Sequence, residues 1–187
     1  MSRGFFAAAM MVLLALPPAV SGGSFDEAGV PDARLVNQDG QEVRFLSDVI
    51  GDRLAAITFT FSTCHTICPR LDGIFKSLQE KVAADLGRDT VLVTLSVDPA
   101  SDIPERLKAH AEMLEARPGW SFLTGDTARV NDLLKALEVY AQDIRNHPPT
   151  VLVVDGRRGE WTRLSGFPSP DKIAEVLARH RQARATD

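Results

Sequence analysis

Cys64 and Cys68 are the residues of this 187-residue chain whose type and spacing best fit a chemical site. They are its only cysteines, and they lie four residues apart in the segment 63–69, TCHTICP. Side chains four residues apart at the start of a helix project to the same side, so the two sulfurs can share one small ion or oxidise together. Unpaired N–H groups at a helix start also lower the pKa of a nearby thiol, and the thiolate is the form that attacks disulfides and binds metals. The spacing leaves both chemistries open.

Structural roles for this cysteine pair have weaker support. A disulfide between residues four apart closes a very short loop, and the stabilisation gained from loop closure grows with loop length. A closed structural zinc site has four ligands, and the chain has no second cysteine pair. We therefore expect the two thiols to be reactive or metal-binding rather than to stabilise the fold.

Two thiolates with one imidazole would suit Cu(I), a soft ion that selects sulfur ligands. Of the four histidines, His147 is the best placed, because it directly precedes a predicted strand where a loop can approach the cysteine end of the sheet. His65, next to Cys64, is a secondary candidate. His110 and His180 lie on predicted helices with many charged neighbours, and we expect both on the surface.

The cysteines lie between a predicted strand and a predicted helix. Residues 54–61 form a near-continuous apolar and β-favouring run, which is typical of a strand buried on both faces. After Pro69, apolar residues follow a helical spacing: Leu71, Ile74, Phe75, Leu78 and Val82. The cysteine loop therefore follows the carboxyl end of a buried strand, where α/β proteins commonly place active sites.

The remaining elements alternate between strands and helices. Asp102, Pro104 and Glu105 predict the cap and first turn of one helix, and Asp126 or Thr127 can cap another. The other predicted elements are a hairpin of 34–36 and 43–45, strands 90–97 and 120–123, a hairpin of 150–154 and 160–164, and a helix over 171–181. This order predicts an α/β protein with a thioredoxin-like fold, a central mixed sheet flanked by helices and an N-terminal β-hairpin.

The first residues have the layout of a secretory signal peptide. Arg3 precedes an apolar run of 12 residues over 5–16, and small residues follow at 19–21. A membrane-spanning helix needs about 20 apolar residues. We therefore predict a cleaved signal peptide over 1–21 and a periplasmic or otherwise exported protein. The alternative is an uncleaved anchor that holds the domain on the periplasmic side of a membrane.

Composition limits the rest of the chain. We predict a flexible segment over 22–30, which is rich in glycine and serine at its start, and one domain over 31–187. The formal net charge of −4 makes nucleic acid and anionic membranes poor partners. Met113 is the only methionine beyond the predicted signal peptide, which excludes a methionine-rich copper-binding face.

Four segments together resemble the Sco/SenC family. The segment 59–64, FTFSTC, with Cys68-Pro69, is similar to the family's strand and C-x3-C-P loop. The matching segments that follow are 96–99 (SVDP) with Asp102, Pro104 and Leu107, 120–125 (WSFLTG), and His147 ahead of a strand that ends in Asp155-Gly156. The chain departs from the family at His65-Thr66, where relatives often have Pro-Asp, and at Asn146, where an acidic residue is common.

The resemblance implies a thioredoxin-like protein that takes part in assembling the binuclear copper centre of cytochrome c oxidase. By resemblance, Cys64, Cys68 and His147 are the copper ligands, for Cu(I) or alternatively Cu(II). The implied partners are a copper acceptor and an upstream copper donor or thiol reductant. The expected acceptor is the copper-bearing oxidase subunit. The resemblance also likens Pro149-Thr150 to a cis-proline dipeptide, so we expect a cis bond at Pro149.

Three functions remain open from the sequence. The first is a metallochaperone that carries copper on the three ligands. The second is a thiol-disulfide oxidoreductase in which Cys64 and Cys68 form the redox pair and reduce the acceptor's cysteines, with Cys64 the expected attacking thiol. The third is a copper or redox sensor module. Whether the protein is an enzyme depends on which of these functions it performs.

Overall fold

A computed structural model of the chain describes residues 20–186. Residues 1–19, most of the predicted signal peptide, lie outside the described residues, and cleavage stays a prediction. The strands are β1 (Val20–Ser24), β2 (Arg34–Asn37), β3 (Glu42–Arg44), β4 (Leu54–Thr60), β5 (Thr90–Ser96), β6 (Trp120–Thr124), β7 (Thr150–Asp155) and β8 (Glu160–Ser165). They form one mixed sheet in the order β1-β8-β7-β4-β5-β6-β2-β3.

The helices are α1 (Phe25–Ala28), α2 (Cys68–Lys81), α3 (Pro104–Met113), α4 (Thr127–Ala136) and α5 (Pro170–Arg184). A π-helical turn covers Phe45–Ile50, and a 3₁₀ turn covers Ile144–Asn146. None of the helices described between residues 20 and 186 is long and apolar enough to cross a membrane. Asp126 caps α4 by accepting from the Arg129 N–H, as the sequence predicts.

The centre of the sheet is buried on both faces. Strands β4, β5 and β7 consist entirely of buried residues, which confirms for β4 the prediction of a strand buried on both faces. Strand β4 is parallel to β5 and antiparallel to β7, and β5 is parallel to β6. The predicted mixed sheet and the predicted β2–β3 hairpin are both confirmed.

Helices cover the two faces of the sheet, and alternate residues of β4 show the division. Ile57 and Phe59 pack in a cluster with α4 and the π-helical turn, whereas Leu54 and Ala56 pack in a cluster with α2, α3 and α5. Each fully buried Leu or Phe contributes about 1.5–3 kcal/mol of transfer free energy. The end of β4 is therefore held firmly from both sides.

Strand β1 and helix α1 overlap the segment 22–30, for which flexibility stays a prediction. Strand β1 pairs antiparallel with β8, and the Trp161 indole lies so close to Gly23 that a Cβ there would overlap the ring. Phe25 is buried and meets Trp161 edge to face, with ring centroids 5.3 Å apart. The small residues of this segment allow close packing beneath an aromatic ring.

Candidate thiol and metal site

Strand β4 positions the cysteine loop at one edge of the sheet. The strand ends at Thr60, and the loop that follows leads into α2, whose first residue is Cys68. Both cysteines are free thiols, 9% and 1% exposed for Cys64 and Cys68. The backbone N–H of Cys68 donates to Sγ of Cys64 across 3.4 Å. The predicted strand, loop and helix are therefore confirmed. The first turn of α2 faces the sulfur of Cys64.

The two thiols differ in acidity. Burial, together with the hydrogen bond to Cys64, raises the pKa of Cys68 to about 12. Burial also acts upward on Cys64, but hydrogen bonds from the Cys68 thiol and from the backbone of Thr66 and Cys68 outweigh it and lower the pKa of Cys64. Cys64 is therefore the sulfur that ionises more readily.

The antiparallel pairing of β7 with β4 brings His147 to the cysteine end. Thr58 lies opposite Val151 in this register, so the start of β7 lies beside the end of β4. His147 stands three residues before β7, and its ring meets Phe61 at a centroid distance of 6.0 Å and an interplanar angle of 76°. Phe61 also lines the cavity at Cys64. This placement agrees with the sequence-based expectation for the His147 loop.

The imidazole of His147 is buried without a hydrogen-bond partner. Its exposed fraction is 3%, and neither Nδ1 nor Nε2 has a partner. Burial lowers the pKa of His147, because an enclosed imidazolium would lose its hydration, and a contact with the Pro148 backbone opposes this only in part. The ring therefore keeps a free nitrogen lone pair at neutral pH, which is the form that binds metals.

The three predicted ligands do not form a finished metal site in this structure. Within residues 20–186, no three histidine, cysteine, aspartate or glutamate side chains are grouped closely enough to hold a metal ion. By type, two sulfurs and one neutral imidazole fit a soft ion such as Cu(I). The assignment of Cys64, Cys68 and His147 as ligands therefore stays a prediction.

A surface cavity of about 600 Å³ gives access to Cys64. Apolar side chains of Phe61, Ile67 and Ile144 line it beside the sulfur. His65, the secondary ligand candidate, also lines this cavity, and its side chain is exposed. Of the two thiols, only Cys64 lines the cavity, so this sulfur is the one that meets an incoming molecule.

Asp102 supports the cysteine loop in a way that sequence analysis missed. The sequence predicts it as a helix cap, but α3 starts after Ile103, and the Asp102 side chain turns inward. Its exposed fraction is 1%, and its carboxylate accepts from the Ser62 N–H at 3.0 Å and from the Ser96 hydroxyl at 2.5 Å. The cap prediction is wrong because these buried donors outcompete the helix terminus. Asp102 thus ties the loop before Cys64 to the end of β5.

Two histidines lie deeper than the sequence predicts. The His110 side chain is only 10% exposed, and its Nε2 lies 3.0 Å from Oδ2 of Asp72 on α2. His180 is half-buried, and its Nε2 lies 2.9 Å from the hydroxyl of Thr162. Neither is the fully exposed residue that we expected, because charged neighbours along a helix do not show which side of that helix a given residue occupies.

His110 should make stability depend on pH. The hydrogen bond to Asp72, opposed in part by burial, raises the pKa of His110 above its ordinary value of about 6.5. A raised folded-state pKa adds stability that is fully present below the unfolded pKa and is lost as pH rises through the folded pKa. We therefore expect the unfolding free energy of the parent to exceed that of Asp72→Asn most at about pH 6 and least at about pH 9. Urea denaturation at several pH values measures this, and a pH-independent difference would contradict it.

The expected cis bond at Pro149 is not present. All peptide bonds between the described residues 20–186 are trans. The trans form of an X–Pro bond is favoured by about 0.5–1 kcal/mol unless packing opposes it. Here the Pro149 carbonyl accepts from the Gly166 N–H at 2.8 Å and extends the pairing of β7 with β8.

Comparison with known proteins identifies the family. The SCO1/SenC family model matches residues 23–182. The chain belongs to the SCO1/SenC family. An SCO1 protein homolog of Bacillus subtilis is 38% identical over 90 residues, 48% of this chain and 45% of that protein. A putative copper-binding protein of Stutzerimonas stutzeri is 31% identical over 111 residues, 59% of this chain and 52% of that protein. The chain spans about half the length of the curated relatives it matches.

Solved structures of SCO1/SenC proteins share the fold. A SCO1/SenC family lipoprotein from Bacillus anthracis superposes with a TM-score of 0.67 at 22% identity, covering 80% of this chain and 90% of that one. BsSco, described as a member of the Sco family of cytochrome c oxidase assembly proteins, gives 0.66 at 24%, covering 84% and 94%. Yeast Sco1 with copper bound gives 0.66 at 20%, covering 81% and 94%. The predicted thioredoxin-like α/β fold is confirmed.

Proposed function

We propose that this SCO1/SenC protein is an exported metallochaperone that carries Cu(I) on Cys64, Cys68 and His147 and delivers it during maturation of the binuclear copper centre of cytochrome c oxidase. The acceptor is the copper-bearing oxidase subunit, and an upstream copper donor or thiol reductant loads or reduces the site.

One observation carries the proposal: His147 is a buried imidazole with both nitrogens unpartnered, at the same end of the sheet as a pair of free thiols. A buried polar group without a partner costs about 1–3 kcal/mol. A metal ion that accepts the nitrogen lone pair would remove this cost. Because the three side chains are not grouped in this structure, copper binding has to draw the His147 loop and the cysteine loop together.

Relatives support the choice of copper and of the oxidase. A relative with 31% identity is named as a putative copper-binding protein, and the yeast relative was solved with copper bound. The relative BsSco is described as a member of the Sco family of cytochrome c oxidase assembly proteins. The Bacillus anthracis relative is a lipoprotein, which agrees with export and with function outside the cytoplasm.

Replacing His147 by alanine tests the ligand set. We expect the Cu(I) affinity of the reduced protein to fall by at least about 10-fold, since loss of a ligand should cost no less than loss of a residue that only orients one. Competition with a chromophoric Cu(I) chelator under anaerobic conditions measures the affinity. His65→Ala is the matched control, because His65 lies beside the cysteines but is exposed. Equal affinity of His147→Ala and the parent would remove His147 from the site.

A thiol-disulfide oxidoreductase is the second candidate, because the two sulfurs are placed differently. The Cys64 sulfur lines the open cavity, whereas Cys68 is sealed behind it. The Cys64 thiolate would attack a partner disulfide and release one partner thiolate. Cys68 would then attack Cys64, release the second partner thiol and leave a Cys64–Cys68 disulfide, so that two electrons pass to the partner. An upstream thiol reductant would restore the pair.

The variant His147→Ala also distinguishes the metallochaperone from the oxidoreductase. His147→Ala should keep its rate of disulfide exchange with a model peptide disulfide if the thiols work alone, while losing copper affinity. A parent protein that reduces no peptide disulfide under conditions where it binds copper would reject the oxidoreductase.

A further inference from the structure

We propose a second Cu(I) site on α3, formed by Nδ1 of His110 and the thioether of Met113, at a cavity beside the cysteine loop. This site uses none of the residues of the proposed copper-delivery function and goes beyond it. Its chemistry is that of a soft monovalent cation, because imidazole and thioether are ligands that select Cu(I) over hard divalent ions.

The first observation is the orientation of His110. Its Nε2 lies 3.0 Å from the carboxylate of Asp72, and the two side chains are 10% and 7% exposed. In the neutral imidazole, Nε2–H donates to this carboxylate, which leaves the lone pair on Nδ1. Metal-binding histidines almost always donate their other N–H to a carboxylate, a carbonyl or water in this way. Asp72 thus fixes both the tautomer and the direction of the ring.

The second observation is the exposure of Met113. Its exposed fraction is 67%, the largest among the exposed large hydrophobic side chains of the described residues. Met113 follows His110 by three residues on α3, a spacing that places two helical side chains next to each other. Both side chains line one surface cavity of about 470 Å³. A soft sulfur and an oriented imidazole therefore open onto the same space.

The third observation is the position of this cavity. Its other lining residues are Ser62, Thr63, Arg106 and Ala109. Thr63 also lines the cavity at Cys64, so the two cavities adjoin at the residue next to that cysteine. The exposed Arg106 adds a positive charge that disfavours divalent ions more than Cu(I). The site is thus placed to hold copper immediately before transfer to the thiols.

The test uses the double variant Cys64→Ser/Cys68→Ser, in which the thiols are absent. We expect this variant still to bind one Cu(I), at the second site, under anaerobic reducing conditions. In that background, Met113→Leu should lower the residual affinity by at least about 10-fold, because it removes the only soft ligand. Asp72→Asn should lower it by about 10–100-fold, since the imidazole loses its orienting carboxylate. His180→Gln is the matched control and should change nothing.

The Met113 methyl resonance gives a direct readout. Cu(I) is diamagnetic, so this resonance, assigned by its loss in Met113→Leu, should shift on titration of the double variant. Met113 lies on the surface, and its leucine variant should fold like the parent. No residual copper in the double variant, or residual copper that survives Met113→Leu unchanged, would overturn the second site. Either result leaves the thiol site intact if the parent still binds one Cu(I), so the two proposals fail separately.

Discussion

Cys68→Ser should lower the Cu(I) affinity of the reduced protein by more than about 100-fold, above the range expected for residues that only orient a ligand. Serine has nearly the shape of cysteine, but its hydroxyl is a hard donor that remains protonated, and Cu(I) selects soft sulfur ligands. The chain has only two cysteines, so no third thiol can substitute. Anaerobic titration against a chromophoric Cu(I) chelator measures the loss.

The control for Cys68→Ser is Cys64→Ser, which removes the more accessible sulfur. Both variants should bind copper weakly, but their remaining thiols should be alkylated at different rates. Cys68→Ser keeps the Cys64 thiol, which lines the open cavity and has the lower pKa, and this thiol should react faster than the sealed Cys68 of the other variant. Parent-like copper affinity in Cys68→Ser would remove Cys68 from the site.

Asp102→Ala should lower the unfolding free energy by about 2–6 kcal/mol, because two donors lose their common acceptor and each unpaired buried donor costs about 1–3 kcal/mol. These donors are the Ser62 N–H and the hydroxyl of the fully buried Ser96. The Ser62 bond fixes the chain two residues before Cys64, so the reactivity of that thiol should change as well. Urea denaturation and the alkylation rate of Cys64 measure the two effects.

Asp126→Ala is a matched control for Asp102→Ala. Asp126 is an exposed aspartate that accepts one backbone N–H as the cap of α4, and caps contribute about 0.5–2 kcal/mol. Its loss should leave the Cys64 alkylation rate unchanged. If Asp102→Ala also left that rate unchanged, the carboxylate would stabilise the fold without positioning the cysteine loop.

The errors of the sequence analysis share a physical cause. Asp102 is predicted as a helix cap and His110 as a surface residue, and in the structure each side chain is held by a partner distant in sequence. Ser62 lies 40 residues from Asp102, and Asp72 lies 38 residues from His110. Local propensity cannot register such contacts, because they exist only once the strands and helices are packed together.

The sequence by itself determined strands β2 to β8, the main helices and the position of the thiols at a strand-to-helix junction, because continuous apolar runs and helical spacing are local patterns. Only the tertiary structure decided the rest. The antiparallel register of β7 on β4 placed His147 beside Phe61, burial left its two nitrogens without partners, and packing separated the acidities of Cys64 and Cys68. These properties depend on the surroundings that distant segments create, so no local pattern contains them.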